Sequence, residues 1–215
     1  PQEDAGVQDE TVLIPVKYPE YANRLTNLAL LMRNPKRDHD LVALSVVYDD
    51  ANIDRQRAEG CKLLEQVTSY AASADVKMHS QLRVATNIAN GIMHAFKEFR
   101  ATEVVIGMHM HFSDSTTFWG KFHQSLFNGL SRQIIMARLM QPLSTLRRIV
   151  VCVPSRAQFE PGFYRWLERL SRLAENLDCR IAYHGRQDTL TRIRQYELNH
   201  HESVRAEYVE MEHWN

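Results

Sequence analysis

This 215-residue sequence has little of what marks secreted, membrane-spanning or nucleic-acid-binding proteins. Its three cysteines, Cys61, Cys152 and Cys179, are far apart and odd in number. They form no CxxC pair and no disulfide framework, which points to a reducing compartment. No apolar run approaches the roughly 20 residues that span a bilayer; the densest, Ile134-Ile135-Met136-Ala137, is strand-sized. An excess of one charge is also missing, with 26 Lys+Arg against 26 Asp+Glu. No global field therefore draws the chain to nucleic acid or to an anionic membrane. Neither a G-x-S-x-G elbow nor a Walker A lysine occurs, so the sequence supports an enzyme poorly. The start, Pro1-Gln2-Glu3-Asp4-Ala5-Gly6, is polar, lacks an initiator Met and carries no signal-peptide pattern; the chain is expected to be a piece of something longer.

What is present is alternation. Thr11–Val16 is a short β-rich run, and Pro19 opens a helical stretch in which Tyr21, Leu25, Leu28, Ala29 and Met32 recur at helical spacing. Leu41–Tyr48 is a near-continuous apolar strand, the pattern of a strand covered on both faces. Asn52–Ala74 reads as a long helix and Val76–Val84 as an alternating strand. Thr86 is the expected cap of a helix running through Ile92 and Phe96. Glu103–Met108, Trp119–Leu130 and Gln133–Arg138 then read as strand, helix and strand. This order predicts an α/β fold: an open five-stranded parallel sheet with helices on both faces, Rossmann-like. Met140–Thr145 reads as a linker, after which the alternation restarts: Arg148–Pro154 as strand, a helix from Pro161, Arg180–His184 as strand, Asp188–Leu198 as a polar helix, Val204–Met211 as strand. Residues 1–140 are thus expected to form a complete unit and 146–215 a partial second one.

The densest functional signal is Val104-Val105-Ile106-Gly107-Met108-His109-Met110, with Gly120-Lys121 further on. A buried strand ending in glycine, then a loop, then a helix opening at a second glycine is where open α/β sheets hold phosphate groups. Helix N-termini there offer unpaired N–H donors and a positive dipole end. In order and spacing, residues 11–138 resemble the universal stress protein family, and 148–211 repeat its start weakly. That family carries a signature of glycine, two residues, glycine, nine residues, then glycine with Ser or Thr. Gly107 and Gly120 stand at its outer glycines; Met110 replaces the middle one and Lys121 the hydroxyl. The acidic residue that resembles an adenine contact after the first strand is replaced near Val16-Lys17. The resemblance implies a ligand site at Lys17, Val84, Gly107, Met110, Gly120 and Lys121. The altered positions imply a degenerate nucleotide-type pocket, with ATP or AMP as the possible ligand.

The tandem arrangement, with Pro142-Leu143-Ser144-Thr145 before the restarting strand, also resembles the cytosolic tail of bacterial cation:proton antiporters. That resemblance implies a non-enzymatic regulatory or interaction module at the cytoplasmic side of the inner membrane, with the transmembrane antiporter portion of the same parent chain as partner. It further implies a homodimer through Gln133–Arg138, an expected sheet edge. A soluble ATP- or AMP-binding stress protein is the alternative.

Other groupings read as structural. His109, His111 and Asp114 offer a loop and little else for a metal, and no metal or catalytic site is expected. His200-His201 reads as a solvated turn. Arg165, Glu168, Arg169, Arg172 and Glu175 read as a solvated, salt-bridged helix surface. Cys152, inside the run Ile149–Val153, reads as a small buried hydrophobe.

Overall fold

The computed structural model describes residues 10–36, 39–108 and 133–212. The chain divides into two compact units, one built on Gln8–Leu30 and Pro35–Met140, the other on Gln141–Asn215 together with Leu31–Asn34.

The first unit follows the alternation: β1 (Glu10–Pro15), α1 (Pro19–Met32), β2 (His39–Tyr48), α2 (Ile53–Ser73), β3 (Met78–Ala85), α3 (Ile88–Glu98), β4 (Glu103–Gly107) and β5 (Gln133–Ala137). The sheet is wholly parallel in the order β3-β2-β1-β4-β5. The expected helix Trp119–Leu130 lies outside the described residues. β5 forms an edge, as expected.

The apolar run of β2 is buried on both faces because two helices close on consecutive residues. A Cβ placed on Gly60 of α2 would lie 2.7 Å from Ser45 Oγ, and one on Gly91 of α3 would lie 2.6 Å from Val46 Cγ1. Neighbouring strand residues point to opposite faces, so α2 and α3 sandwich the sheet. Leu13, Val42, Leu44, Val104 and Ile106 form one core with Ile92, Ala95 and Phe96 of α3. Each such fully buried aliphatic side chain contributes about 1.5–3 kcal/mol of transfer free energy. The cap of α3 differs from expectation. Asn87, in extended backbone, accepts from the Asn90 N–H at 2.8 Å, one residue beyond Thr86.

The second unit comprises β6 (Arg148–Cys152), α4 (Phe163–Leu177), β7 (Arg180–Gly185), α5 (Gln187–His200) and β8 (Arg205–Glu210), a parallel sheet in the order β6-β7-β8. α4 begins at Phe163 rather than Pro161, behind Gly162 at φ +86°, where a side chain would be strained. Two successive crossovers in one direction place both helices on the same face. Ile149, Val151, Ile181, Tyr183, Ala206 and Tyr208 meet Phe163, Leu167, Ala174, Leu190 and Ile193 there.

The alternate residues face the other way. Val150 is 55% exposed, and Cys152 is exposed too, contrary to its reading as a buried hydrophobe. An apolar run of five suggests helices on both sides, but among the described residues α4 and α5 both pack on the face of Ile149 and Val151.

Candidate functional site

In open parallel sheets the binding crevice lies at the carboxyl ends of strands, where the strand order reverses. In the order β3-β2-β1-β4-β5 that reversal falls between β1 and β4. Val12 pairs with Glu103 and Leu13 with Val104; continued along both strands, this register sets Val16 level with Gly107. Val16 is buried and its N–H donates to the Leu44 carbonyl at 2.8 Å, so the sheet holds the chain up to the residue before Lys17. Lys17 is exposed beyond it. On the other side, Gly107 pairs with Ala137, and the Met108 N–H donates to the Ala137 carbonyl at 2.8 Å.

Lys17 and Gly107 therefore meet at adjacent strand ends. Val84 does not join them: it lies on β3, paired with Val47 of β2, and β2 stands between β3 and β1, which puts it about 10 Å from β1 at two strand spacings. Met110, Gly120 and Lys121 lie outside the described residues, as do His109, His111 and Asp114.

Two phenols that the sequence reading passed over belong to the same rim. Tyr18 follows Lys17, whose ammonium stands 5.6 Å from its ring centre. Burial pushes the hydroxyl of Tyr48, at the end of β2, above the usual phenol range, and Tyr18 adds to the effect. The loop after Tyr48 is closed on itself. Asp50 accepts from the Asn52 N–H and the Gln56 amide, both at 2.8 Å, and Gln56 accepts from the Tyr48 N–H at 2.9 Å. The rim thus presents a cation and phenols. Among the described residues, no group of three or more His, Cys, Asp or Glu is suited to a metal ion.

The second unit holds a buried polar cluster where sequence reasoning expected solvated surface. His201 is 3% exposed. Its Nδ1 lies 2.5 Å from Glu175 Oε1 and its Nε2 2.5 Å from Glu168 Oε2. Glu168 also accepts from Tyr196 at 2.6 Å and from Arg172 at 2.9 Å. Burial would raise the Glu168 carboxyl, but these donors, His201 first, hold it well below the usual carboxylate range. Alongside, Glu197 accepts from Tyr183 at 2.6 Å and Ser171 at 2.9 Å, both on Oε1, while Oε2 is buried without a partner. Burial pushes the Glu197 carboxyl up despite those two donors. Arg169 is buried as well.

The i, i+4 and i, i+3 spacings of Glu168, Arg172 and Glu175 do make ion pairs, as expected. They are pairs within a packed seam because α5 ends against them. Tyrosines gave the available signal: a buried Tyr needs a partner for its hydroxyl, and Tyr183 and Tyr196 each find a glutamate.

No family model and no curated protein matches the sequence. Solved structures do. A universal stress protein from Archaeoglobus fulgidus DSM 4304 aligns over 95% of this chain and 77% of its own, with a TM-score of 0.60 at 12% identity. The fold is that of the universal stress proteins. The cytoplasmic domain of a prokaryotic cation chloride cotransporter aligns over 95% of this chain and 79% of its own, with a TM-score of 0.56 at 9% identity. A universal stress protein in complex with cAMP aligns over 60% of this chain and 97% of its own, with a TM-score of 0.49 at 10% identity. Both units fall within the two longer alignments, so the universal-stress-like architecture extends past the five-stranded sheet into the three-stranded one. Among the described residues no helix is long and apolar enough to cross a membrane.

Proposed function

We propose that this chain is a non-enzymatic regulatory and interaction region of a membrane cation:proton antiporter, acting on the cytoplasmic side. Its first unit keeps a nucleotide-type crevice in degenerate form. The observation that carries this reading is Lys17 at the β1–β4 switch point, where the family pattern has an acidic residue. A carboxylate there would accept hydrogen bonds from a base or a ribose; an ammonium only donates. Support for the transporter context comes from the likeness of both units to the cytoplasmic domain of a prokaryotic cation chloride cotransporter. A module of this kind acts by binding or packing differently in two arrangements of its parent, which sets the size of any regulatory effect.

The parent's transmembrane portion is the proposed partner, and β5, an edge strand of the first sheet among the described residues, is the proposed dimer contact. The second reading, a soluble ATP- or AMP-binding stress protein, draws support from Gly107 at the strand end. Calorimetric titration with ATP and AMP separates the two. The regulatory reading expects weak or no binding by the native chain and a gain of at least about tenfold for Lys17→Asp, roughly one charge-assisted hydrogen bond. Tight binding by the native chain, lost in Gly107→Val, would establish the second reading instead.

A further inference from the structure

The buried cluster of the second unit plays no part in the proposed crevice, and its geometry has a consequence of its own. His201 closes α5: its N–H donates to the Glu197 carbonyl at 2.8 Å, and its own carbonyl accepts from Val204 at 3.1 Å, just before β8 begins. Its imidazole lies against α4 between two carboxylates, one on each ring nitrogen. An ionised carboxylate only accepts hydrogen bonds, so both nitrogens donate and the ring is an imidazolium. We propose that His201 is a proton-operated latch, holding the α5–β8 corner against α4 while its ring carries two protons and releasing that corner when one is lost.

The titratable groups of the elements packed around the ring bear on this. α4 contributes Glu168, Glu175 and Arg172, the last paired with both glutamates at 2.9 and 3.6 Å. α5 contributes Tyr196, which donates to Glu168, Glu197, and His200, whose ring lies 4.6 Å from that of Tyr196. β7 and β8 contribute Tyr183 and Tyr208, stacked at 5.9 Å, of which Tyr183 donates to Glu197. Glu168 already has Tyr196 and Arg172 as donors, so the shared proton resides on the imidazole. Once it leaves, one nitrogen of the buried ring turns a lone pair on the oxygen of a partly buried carboxylate. That is the costly configuration for a buried pair.

The direction follows. Burial lowers the His201 value, the two glutamates more than reverse this, and the result lies above the ordinary 6.5. A folded-state value raised in this way adds stability in full below about 6.5 and loses it as pH rises through the folded value. The latch therefore opens on the alkaline side. Glu197 is raised too, by burial, and its loss of stability with rising pH has the same sign, so a step that persists in His201→Gln would belong to Glu197 and overturn the latch.

The test is amide hydrogen exchange of the whole chain from about pH 6 to about pH 9, comparing β8 amides with β2 amides of the first unit. The ratio removes the intrinsic base catalysis of exchange. Protection of β8 should fall roughly ten- to a hundredfold relative to β2 across that range, the equivalent of one charged hydrogen bond. His201→Gln should leave β8 weakly protected throughout, with no step. Glu175→Gln, which removes one carboxylate and keeps the histidine, should move the step to lower pH, and decides the matter if His201→Gln fails to fold. Ring NMR should show a doubly protonated His201 at neutral pH. A flat β8 ratio in the native chain, a step unchanged by Glu175→Gln, or a neutral ring at about pH 7 would each overturn the latch.

Discussion

Tyr183→Phe measures how much the buried cluster contributes to stability. Tyr183 is 0% exposed, and its hydroxyl donates to Glu197 Oε1 at 2.6 Å. The substitution keeps the ring, so packing against Ile181 and Leu167 is undisturbed and only the donor is lost. Glu197 has two donors, both on one oxygen, and a second buried oxygen with none. Losing one of two leaves the buried carboxylate with Ser171 as its remaining donor. A hydrogen bond to a charged group is worth about 1.5–3 kcal/mol, a neutral one about 0.5–1.5.

The substitution should therefore destabilise the second unit by about 2 kcal/mol where Glu197 is ionised, and by about 1 kcal/mol where it is protonated. The sign of the pH dependence is fixed. Burial raises the folded Glu197 value above 4.5, so its stabilising contribution is complete below that value and fades as pH rises through the folded one. Removing a donor raises the folded value further and enlarges the loss. The penalty of Tyr183→Phe must then grow as pH rises through the folded Glu197 value. Urea unfolding read by hydrogen exchange in β7 and α5 isolates this unit from the first, which matters because two units need not unfold together. With Glu197→Gln, a double-mutant cycle should give a coupling of about 1 kcal/mol or more. A penalty under about 0.5 kcal/mol throughout a pH series, or one that does not change with pH, would refute the reasoning.

Two further outcomes follow from packing. Gly91→Val should destabilise the first unit by about 1–3 kcal/mol in chemical denaturation, since even a Cβ would lie 2.6 Å from Val46 Cγ1, and Val46→Ala should recover part of the loss. In native protein a thiol reagent should label Cys61 and Cys152 rapidly and spare Cys179 until unfolding, as read by peptide mass spectrometry; slow labelling of Cys152 would mean its face of the sheet is covered in solution.

Much of the fold is legible in the residues because its elements are local and periodic. β2 reads as an apolar run because two helix layers cover it, and α1 shows its core face at i, i+3 and i+4. The strand ends that position Lys17 and Gly107 follow from the same patterns. What escapes is set by long-range return of the chain. Glu168, Arg172 and Glu175 have the spacing of an exposed ion-paired face, and nothing nearby says that His201, far along the sequence, closes over them. Cys152 fails for the converse reason, since hydrophobicity along β6 does not record that its sheet carries both helices on one side. The cap at Asn87 rather than Thr86 is a competition between adjacent residues with similar capping ability.

The two helix glycines of the first unit have a consequence for how this chain can change over time. Gly60 and Gly91 press on Ser45 and Val46, neighbours on a single strand, from opposite sides. That strand is a shim of fixed thickness between two layers, and any bulk added on one side displaces it toward the other. Substitutions at the two positions should accordingly be read as a pair: Gly60→Ala and Gly91→Ala together should cost more than their separate effects sum to. A lineage that enlarges one would be expected to shrink Ser45, Val46 or Leu82 in compensation.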